Sequence, residues 1–434
     1  MASTSRQSAP AAKDMKLTPV ITLEGHKDNH VRSISYFPDG NQMISASGNN
    51  AVRRWDLQAG KEIEKRKVCK YEMGAVAVSG DSRWVVTAGG DRLHGELKAW
   101  EVETGIIKTF HGHSENIICI DISADCTLLA SGSLDQTARI WSLDTGKPVA
   151  GPFKATGMGA IRFSPDSKKL AVNSWQADCL EVLDIQTQKL DRRVKGKKEG
   201  NFPWSTHAPV FWTNKGTRIL AVFDFDDSFA TTFYEFDSST LETVGTPFRG
   251  HTSVIKCLAL SSDGTLIASA AGDGVRLWAF ESRQLLALFQ VTTANDVVVF
   301  SPDTQHLAYA NYTNVYICNI PPNILATIGL ATKGHPKKTA VSYFPAPITF
   351  KTRLANWWSA HAGHAAPPIV NVLIAPGKQR NAAAGAPKQQ DEELVRDEYC
   401  DDDLPLKNPN SQQSTAAALA NAGDHGSDQF CFCF

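Results

Sequence analysis

The sequence predicts an all-β fold made of seven copies of one four-stranded unit, and three observations support this. Tryptophan recurs in similar surroundings at Trp55, Trp100, Trp141 and Trp278. Segments in which apolar and polar residues alternate precede these positions, as is typical of half-buried strands. Turn signals that contain Gly, Pro, Asp or Asn separate the segments about every 10 residues. Regularly spaced short strands of this kind indicate a repeat architecture of stacked sheets.

The spacing of the tryptophans sets the number of copies. The first two steps are 45 and 41 residues, whereas the last step, from Trp141 to Trp278, is 137 residues. That gap holds three periods, so two degenerate copies are expected inside it, with Leu183 and Tyr234 in the tryptophan position. A seventh copy places Cys318 there.

Each copy is interpreted as four antiparallel strands joined by short turns. One such sheet cannot bury its own faces, so the copies have to stack, which predicts a seven-bladed β-propeller over residues 17–325. Residues 17–23 and residues 324–330 compete to complete the last blade, and we expect the amino-terminal segment to do so. The polar residues 1–16 are predicted to be disordered. Residues 326–434, rich in Ala, Pro, Gly, Gln and Asn, are predicted to form a low-complexity, largely disordered carboxy-terminal extension.

Three copies open on a Gly-His pair, and Trp55 is followed by Asp56 to give an intact Trp-Asp pair. These motifs resemble the WD-repeat (β-transducin-like repeat) propeller family over about residues 17–325. In that family a His, a Ser or Thr, an Asp and a Trp form a structural hydrogen-bond network inside a blade. The resemblance places this network at three sets of residues, which are His26, Asn49 and Trp55, then His113, Ser131, Asp135 and Trp141, and finally His251, Ser269, Asp273 and Trp278.

Asp135 is expected to hold a turn together rather than to catalyse a reaction. A buried carboxylate needs hydrogen-bond donors, and an imidazole and an indole N–H supply them. The same residue types recur at Asp273, and one active site would not require two copies. In the first copy the amide of Asn49 is expected to accept the same hydrogen bond without the charge, which would leave that blade somewhat weaker.

The family resemblance implies a non-enzymatic scaffold or adaptor that binds peptides or protein surfaces on the narrow face of the ring. The loops that lead from the fourth strand of one blade to the first strand of the next, together with the neighbouring turns, are expected to form that face. The candidate partner-binding residues are Asn29, His30, Glu115, Asn116, Leu134, Ser253 and Val254.

Two alternatives remain open for the function. The first is a propeller hydrolase or lyase with its site in the central channel, although the predicted inner strands carry mainly apolar or small residues. The second is a lipid-anchored adaptor. The chain ends in Cys-Phe-Cys-Phe, which partly matches a prenylation signal, so Cys431 and Cys433 are candidate lipidation sites.

Composition and charge narrow the range of partners. A formal net charge of -1 gives no overall field to attract nucleic acid or an anionic membrane. The nine cysteines show neither disulfide nor zinc spacing, which indicates a reducing compartment. We expect a monomeric, cytoplasmic propeller, or alternatively a nuclear one, without metal or cofactor. Its partners would be proteins, with membrane contact only through lipid on the terminal cysteines. The basic run at residues 192–198 is interpreted as a solvated loop between blades.

Overall fold

The computed structural model of this 434-residue chain describes residues 13–26, 30–196, 206, 208–225, 229–291 and 297–328. Nearly all regular structure in these residues is β. The strands and the one α-helix of the described residues are, in chain order, β1 Lys13–Met15, β2 Pro19–Glu24, β3 Val31–Tyr36, β4 Gln42–Ser47, β5 Ala51–Asp56, β6 Lys61–Lys67, β7 Met73–Val78, β8 Trp84–Gly90, β9 Gly95–Glu101, β10 Ile107–Phe110, β11 Ile117–Ile122, β12 Leu128–Ser133, β13 Thr137–Ser142, β14 Pro148–Lys154, β15 Ala160–Phe163, β16 Lys169–Asn173, β17 Cys179–Asp184, β18 Lys189–Lys195, β19 Phe211–Thr213, β20 Arg218–Val222, β21 Thr232–Asp237, β22 Thr243–Arg249, β23 Ile255–Leu260, β24 Leu266–Ala271, β25 Gly274–Ala279, β26 Leu285–Phe289, β27 Val297–Phe300, β28 His306–Ala310, β29 Asn314–Asn319 and α1 Pro322–Thr327.

These strands form seven sheets, which we number as blades 1 to 7. Blades 1 to 6 each take four consecutive strands, starting with β3–β6 and ending with β23–β26, and blade 7 combines β27–β29 with β2. First strands of successive blades contact one another, for example β3 with β7 and β7 with β11, so they surround the centre of the ring. The predicted all-β, seven-bladed propeller is confirmed.

The amino-terminal strand closes the ring. β2 lies antiparallel to β29, with Leu23 opposite Val315, and forms the outer strand of blade 7. This confirms the expected amino-terminal closure. The competing segment, residues 324–330, does not supply a strand in its described part, because α1 begins at Pro322 and ends at Thr327.

The ends of the ring differ from the predicted boundaries. Residues 1–16 were expected to be disordered, whereas Lys13–Met15 form β1, which runs parallel to β26 as a fifth strand of blade 6. The predicted boundary at residue 325 divides α1, whose Ile324 and Leu325 are buried in the core. The remainder of the predicted extension, residues 329–434, lies outside the described residues.

The core of the ring lies between neighbouring blades. Successive side chains of a strand point to opposite faces of its sheet, and β13 shows the consequence. Ile140 packs with Phe163 between blades 3 and 4, while Trp141 packs with Trp84 between blades 2 and 3. Because each blade is apolar on both faces, it is stable only between two others, and the sheets have to close into a ring.

A recurring turn joins the first and second strands of the blades. In blade 3 the Ser123 hydroxyl donates to Asp125 and accepts the N–H of Leu128. Cys126, within the turn, has a positive φ of 60°. The corresponding residues of other blades adopt the same left-handed conformation, and they are Gly40, Ser82, Ser167, Gly264 and Thr304. Only two of these six positions hold the glycine that such a conformation favours, so the hydrogen bonds of the turn impose it on the others.

The strand register corrects one tryptophan position. In blade 3 Trp141 pairs with Leu129, the second residue of its neighbouring strand. In blade 5 the equivalent residue, Ile219, pairs with Phe236, not with Tyr234. Tyr234 was therefore the wrong assignment.

Most of the basic run lies in a strand instead of a loop. Its residues 192–195 belong to β18, the outer strand of blade 4. There Arg193 forms an ion pair with the buried Glu181, and Arg192 forms one with Asp191 at 3.4 Å. Part of the positive charge of the run is thus neutralised within the blade.

Candidate functional site

Blade 3 contains a hydrogen-bonded chain that links four side chains. His113 lies in the loop before β11 and reaches Ser131 of β12, with 2.8 Å between Nε2 and Oγ. Its other ring nitrogen, Nδ1, lies 2.8 Å from Oδ2 of Asp135 in the turn after β12. Trp141 of β13 donates its indole N–H to the same Ser131 oxygen at 2.9 Å. One chain thus ties a loop, a turn and two strands together.

The donors fix the direction of this chain. The Asp135 carboxylate can only accept, so Nδ1 of His113 carries a proton and donates it to Asp135. In the neutral imidazole Nε2 then accepts from the Ser131 hydroxyl, whose oxygen accepts the N–H of Trp141. Burial raises the pKa of Asp135, but hydrogen bonds from His113 and Thr137 outweigh that effect and hold the pKa well below the usual range of an aspartate. Asp135 is accordingly an ionised acceptor at neutral pH.

Blade 6 repeats the arrangement. His251 lies 2.7 Å from Ser269 Oγ and 2.6 Å from Oδ1 of Asp273, and Trp278 donates to Ser269 at 2.9 Å. Arg276 adds an ion pair to Asp273 at 3.0 Å. Burial lowers the pKa of His251, although its hydrogen bond to Asp273 acts to raise that pKa. Burial raises the pKa of Asp273, but its hydrogen bond with His251 and its other partners bring that pKa far below the usual range.

Blade 1 lacks one link of the chain. His26 Nε2 lies 2.7 Å from Ser45 Oγ, and Trp55 donates to that oxygen at 2.8 Å. The side-chain oxygen of Asn49 instead accepts from the Ser47 hydroxyl and from the N–H of Ala51.

The expected hydrogen bond between Asn49 and His26 therefore does not form. Among the described residues, His26 Nδ1 is buried without a hydrogen-bond partner. Burial, followed by the charges of Arg53 and Lys65, lowers the pKa of His26 to about 3. His26 is consequently neutral in the folded chain at neutral pH.

Ser131, His113 and Asp135 stand in the same order as a hydrolase triad, but their surroundings oppose such a role. A catalytic serine needs an accessible oxygen, whereas Ser131 is fully buried and its oxygen already accepts the Trp141 N–H. The same geometry occurs at Ser269. The arrangement fastens the turns of the blade and offers no position for a substrate at the hydroxyl.

The loops and turns that carry the candidate partner-binding residues lie at one end of the blades, which we call the narrow face. There Glu115 accepts the Ser133 hydroxyl through its carbonyl, and Asn116 accepts the N–H of Leu134. The His30 ring lies edge-on to Tyr312 at 4.1 Å between ring centroids.

These candidates mostly brace the narrow face. His30, Glu115, Asn116, Leu134, Ser253 and Val254 are half-buried. Leu134 and Val254 pack against apolar clusters, and the Ser253 side chain lies beside Gly272. Asn29 lies outside the described residues.

Sequence reasoning missed three exposed apolar side chains on the narrow face. Leu93, Phe229 and Tyr312 are 76%, 50% and 49% exposed. They occupy the turns between the second and third strands of blades 2, 5 and 7. Turn positions usually hold small or polar residues, so three large apolar side chains there were the available signal.

A groove of about 460 Å³ opens on the same face between blades 3 and 4. It is lined by Gln136 and Lys154 of blade 3 and by Trp175 and Arg193 of blade 4. Asp178 also lines it. Trp175 is half-buried and Lys154 is exposed, so the groove offers an indole ring beside charges of both signs.

The cysteines of the described residues are free thiols. Burial is the main reason that the pKa of Cys69 rises to about 12 and that of Cys179 to about 11. Thiols with such high pKa values are poor nucleophiles. Cys431 and Cys433 lie outside the described residues.

Among the described residues there is no group of three or more His, Cys, Asp or Glu side chains arranged to hold a metal ion. Those residues also include no helix that is long and apolar enough to span a membrane.

Sequence similarity to known proteins agrees with the propeller fold. The model of the family "WD domain, G-beta repeat" matches residues 17–56, 105–142 and 241–278. Each match starts in the outer strand of one blade or just ahead of it and ends in the third strand of the next, so a sequence repeat bridges two blades. The three matches end on or just after Trp55, Trp141 and Trp278.

A relative with this similarity is Transducin-like enhancer protein 2 from Mus musculus. It is 29% identical over 173 residues, which are 39% of this chain and 22% of that protein. The chain therefore matches about a fifth of the length of this relative. Together with the family model, this similarity confirms the predicted resemblance to WD-repeat propellers.

Proposed function

We propose that this chain, a seven-bladed propeller with WD40 repeats in three places, is a non-enzymatic scaffold that binds peptides or protein surfaces on its narrow face. WD40 propellers are typically protein-interaction scaffolds, and the similarity to Transducin-like enhancer protein 2 supports an adaptor role. Ser131 is fully buried, which supports a structural and not a catalytic role for the hydrogen-bonded chain of blade 3.

The exposed apolar side chains of the narrow face carry this proposal. Leu93, Phe229 and Tyr312 come from three different blades. Backbone hydrogen bonds brace the turns that hold them, for example the bond from the N–H of Val31 to the carbonyl of Tyr312. Exposed apolar side chains on a rigid frame are typical of protein-binding surfaces, where a few such anchors supply much of the affinity.

Affinity purification with paired variants tests the proposal. The variant Leu93→Asp/Tyr312→Asp changes the narrow face, and Ile107→Asp/Val149→Asp is the matched control on exposed outer strands. We expect proteins retained by the unchanged chain to be retained by the control and lost from the narrow-face variant. Retention of the same proteins by both variants would place binding elsewhere.

A second comparison separates the ring from the rest of the chain. The intact chain and a chain that ends after residue 328 are purified side by side. Partners kept by the shorter chain bind the propeller, whereas partners lost from it require residues 329–434. Loss of every partner from the shorter chain, or turnover of a small molecule by the ring, would contradict the proposal.

Localisation and assembly are further parts of the same proposal. We propose a cytoplasmic monomer, with the nucleus as the alternative compartment, and no binding to nucleic acid. Membrane contact would need lipid on Cys431 or Cys433, which mass spectrometry of the native carboxy terminus can detect. Cell fractionation and analytical ultracentrifugation test compartment and mass.

A further inference from the structure

The outer strand of blade 6 differs from every other outer strand of the ring. An exposed strand edge is a template for further strands, and proteins usually protect it with charged residues or proline. Six of the seven outer strands carry at least one such residue, and they are β2, β6, β10, β14, β18 and β22. β26 reads Leu-Leu-Ala-Leu-Phe and has none.

The unprotected edge is the one that carries an additional strand. β1 pairs with β26 in parallel register, with Lys13 opposite Ala287 and Met15 opposite Phe289. Among the seven sheets of the described residues, only this one has five strands. This edge is thus protected by the additional strand β1 and not by charged residues of β26.

The cover is short, and its removal would leave the ring closed. β1 pairs over three residues, so it contributes few hydrogen bonds, each of modest net strength. Leu17, which follows it, is buried between blades 6 and 7. β2 then pairs with β29 independently of β1. The segment 13–15 can therefore leave β26 while Leu17 and β2 hold their places.

We propose that the edge of β26 is a strand-docking site, separate from the narrow face, at which an extended segment of a partner protein replaces residues 13–15. The partner strand runs parallel to β26 and gains its affinity from main-chain hydrogen bonds. Its residue opposite Phe289 is apolar, because Phe289 is buried at the junction of blades 6 and 7.

The direction of β1 favours a partner segment over a second copy of the chain. Two β26 edges related by a two-fold axis would have to pair antiparallel, whereas the strand observed at this edge is parallel. Residues 13–15 then act as a competitor that has to be displaced before the partner binds.

A peptide-binding experiment on the full chain tests the proposal. The probe is a fluorescein-labelled peptide with the sequence of residues 9–16, because it contains residues 13–15, which pair with β26. The variant Asp14→Pro/Met15→Pro removes backbone donors from β1, and Arg6→Pro/Gln7→Pro is the matched control. We expect the probe to bind the β1 variant at least about 10-fold more tightly than the control, since the site is then unoccupied more often.

A second readout locates the binding. In the β1 variant we expect faster hydrogen exchange in residues 285–289, unchanged exchange in residues 19–24, and slower exchange in residues 285–289 once the probe is added. Leu288→Lys, combined with the β1 substitutions, should abolish probe binding. Equal binding to the β1 variant and the control, or unchanged exchange in β26, would overturn the proposal. Dimerisation of the β1 variant in analytical ultracentrifugation would also overturn it and assign the edge to a second copy.

Discussion

At Asp135 a single carboxylate accepts hydrogen bonds from His113 Nδ1, the N–H of Ser114, and both the N–H and the hydroxyl of Thr137. Asp135→Ala would leave several of these donors unsatisfied. We expect the free energy of unfolding at pH 7 to fall by about 1–3 kcal/mol, measured by urea unfolding followed through tryptophan fluorescence.

The control for this substitution is Asp144→Ala. Asp144 forms a surface ion pair with Arg83 and its side chain is 55% exposed, so its loss should change the stability by no more than about 0.5 kcal/mol. Equal effects of the two substitutions would show that the network in blade 3 contributes nothing beyond an ordinary surface carboxylate.

Blade 1 offers the reverse experiment, because Nδ1 of His26 has no hydrogen-bond partner among the described residues. Asn49 occupies the position of Asp135 relative to the preceding strand, yet it does not bond to His26 Nδ1. Asn49→Asp would supply the acceptor, and we expect the free energy of unfolding at pH 7 to rise by about 1 kcal/mol. Gln136→Glu adds the same charge at an exposed turn position and should have no such effect. A destabilised Asn49→Asp variant would refute this explanation of blade 1.

Among the elements, β2 closes the ring by pairing with β29. Leu23 of β2 is buried in the cluster that joins blades 6, 7 and 1, whereas Val20 of the same strand is 51% exposed. We expect Leu23→Ala to lower the free energy of unfolding by about 2–5 kcal/mol and Val20→Ala to change it by no more than about 0.5 kcal/mol. Similar losses for both, measured by urea unfolding, would mean that β2 contributes through its backbone alone.

Sequence periodicity predicted the number of blades but not the register of each strand. Tyr234 and Phe236 are two residues apart and both aromatic, so alternation places them on the same face of β21. Only the pairing with β20 shows that Phe236, and not Tyr234, takes the tryptophan position. That pairing depends on the neighbouring strand and cannot be read from β21 alone.

Tertiary context also explains the features that the sequence did not reveal. Lys13–Met15 has no strand-like pattern and becomes β1 because β26 offers an unprotected edge. Leu93 and Tyr312 were missed because a position in a turn does not specify how far a side chain is exposed. The residue types of the hydrogen-bond networks could be placed from the repeats, whereas the missing bond at His26 depends on side-chain orientation.

Acid sensitivity is a property of the whole molecule, because His26, Asp135 and Asp273, which belong to three different blades, contribute with the same sign. His26 has a folded-state pKa of about 3 against an ordinary value of 6.5, so below pH 6.5 the unfolded chain binds a proton that the folded chain does not. The free energy of unfolding must fall as the pH drops from 6.5 towards 3. Asp135 and Asp273, with folded pKa values far below 3.8, add a further loss below about pH 4.

We therefore expect the free energy of unfolding, measured by urea titration, to decrease by roughly 2–3 kcal/mol between pH 6.5 and pH 4 through His26. Asn49→Asp should reduce this decrease, because a carboxylate beside His26 Nδ1 raises the folded-state pKa of that histidine towards its ordinary value. Gln136→Glu should keep the decrease of the unchanged chain, since its charge does not reach His26. A pH dependence that Asn49→Asp leaves unaltered would show that His26 is not the group responsible, and the loss would then have to come from other titrating groups of the ring.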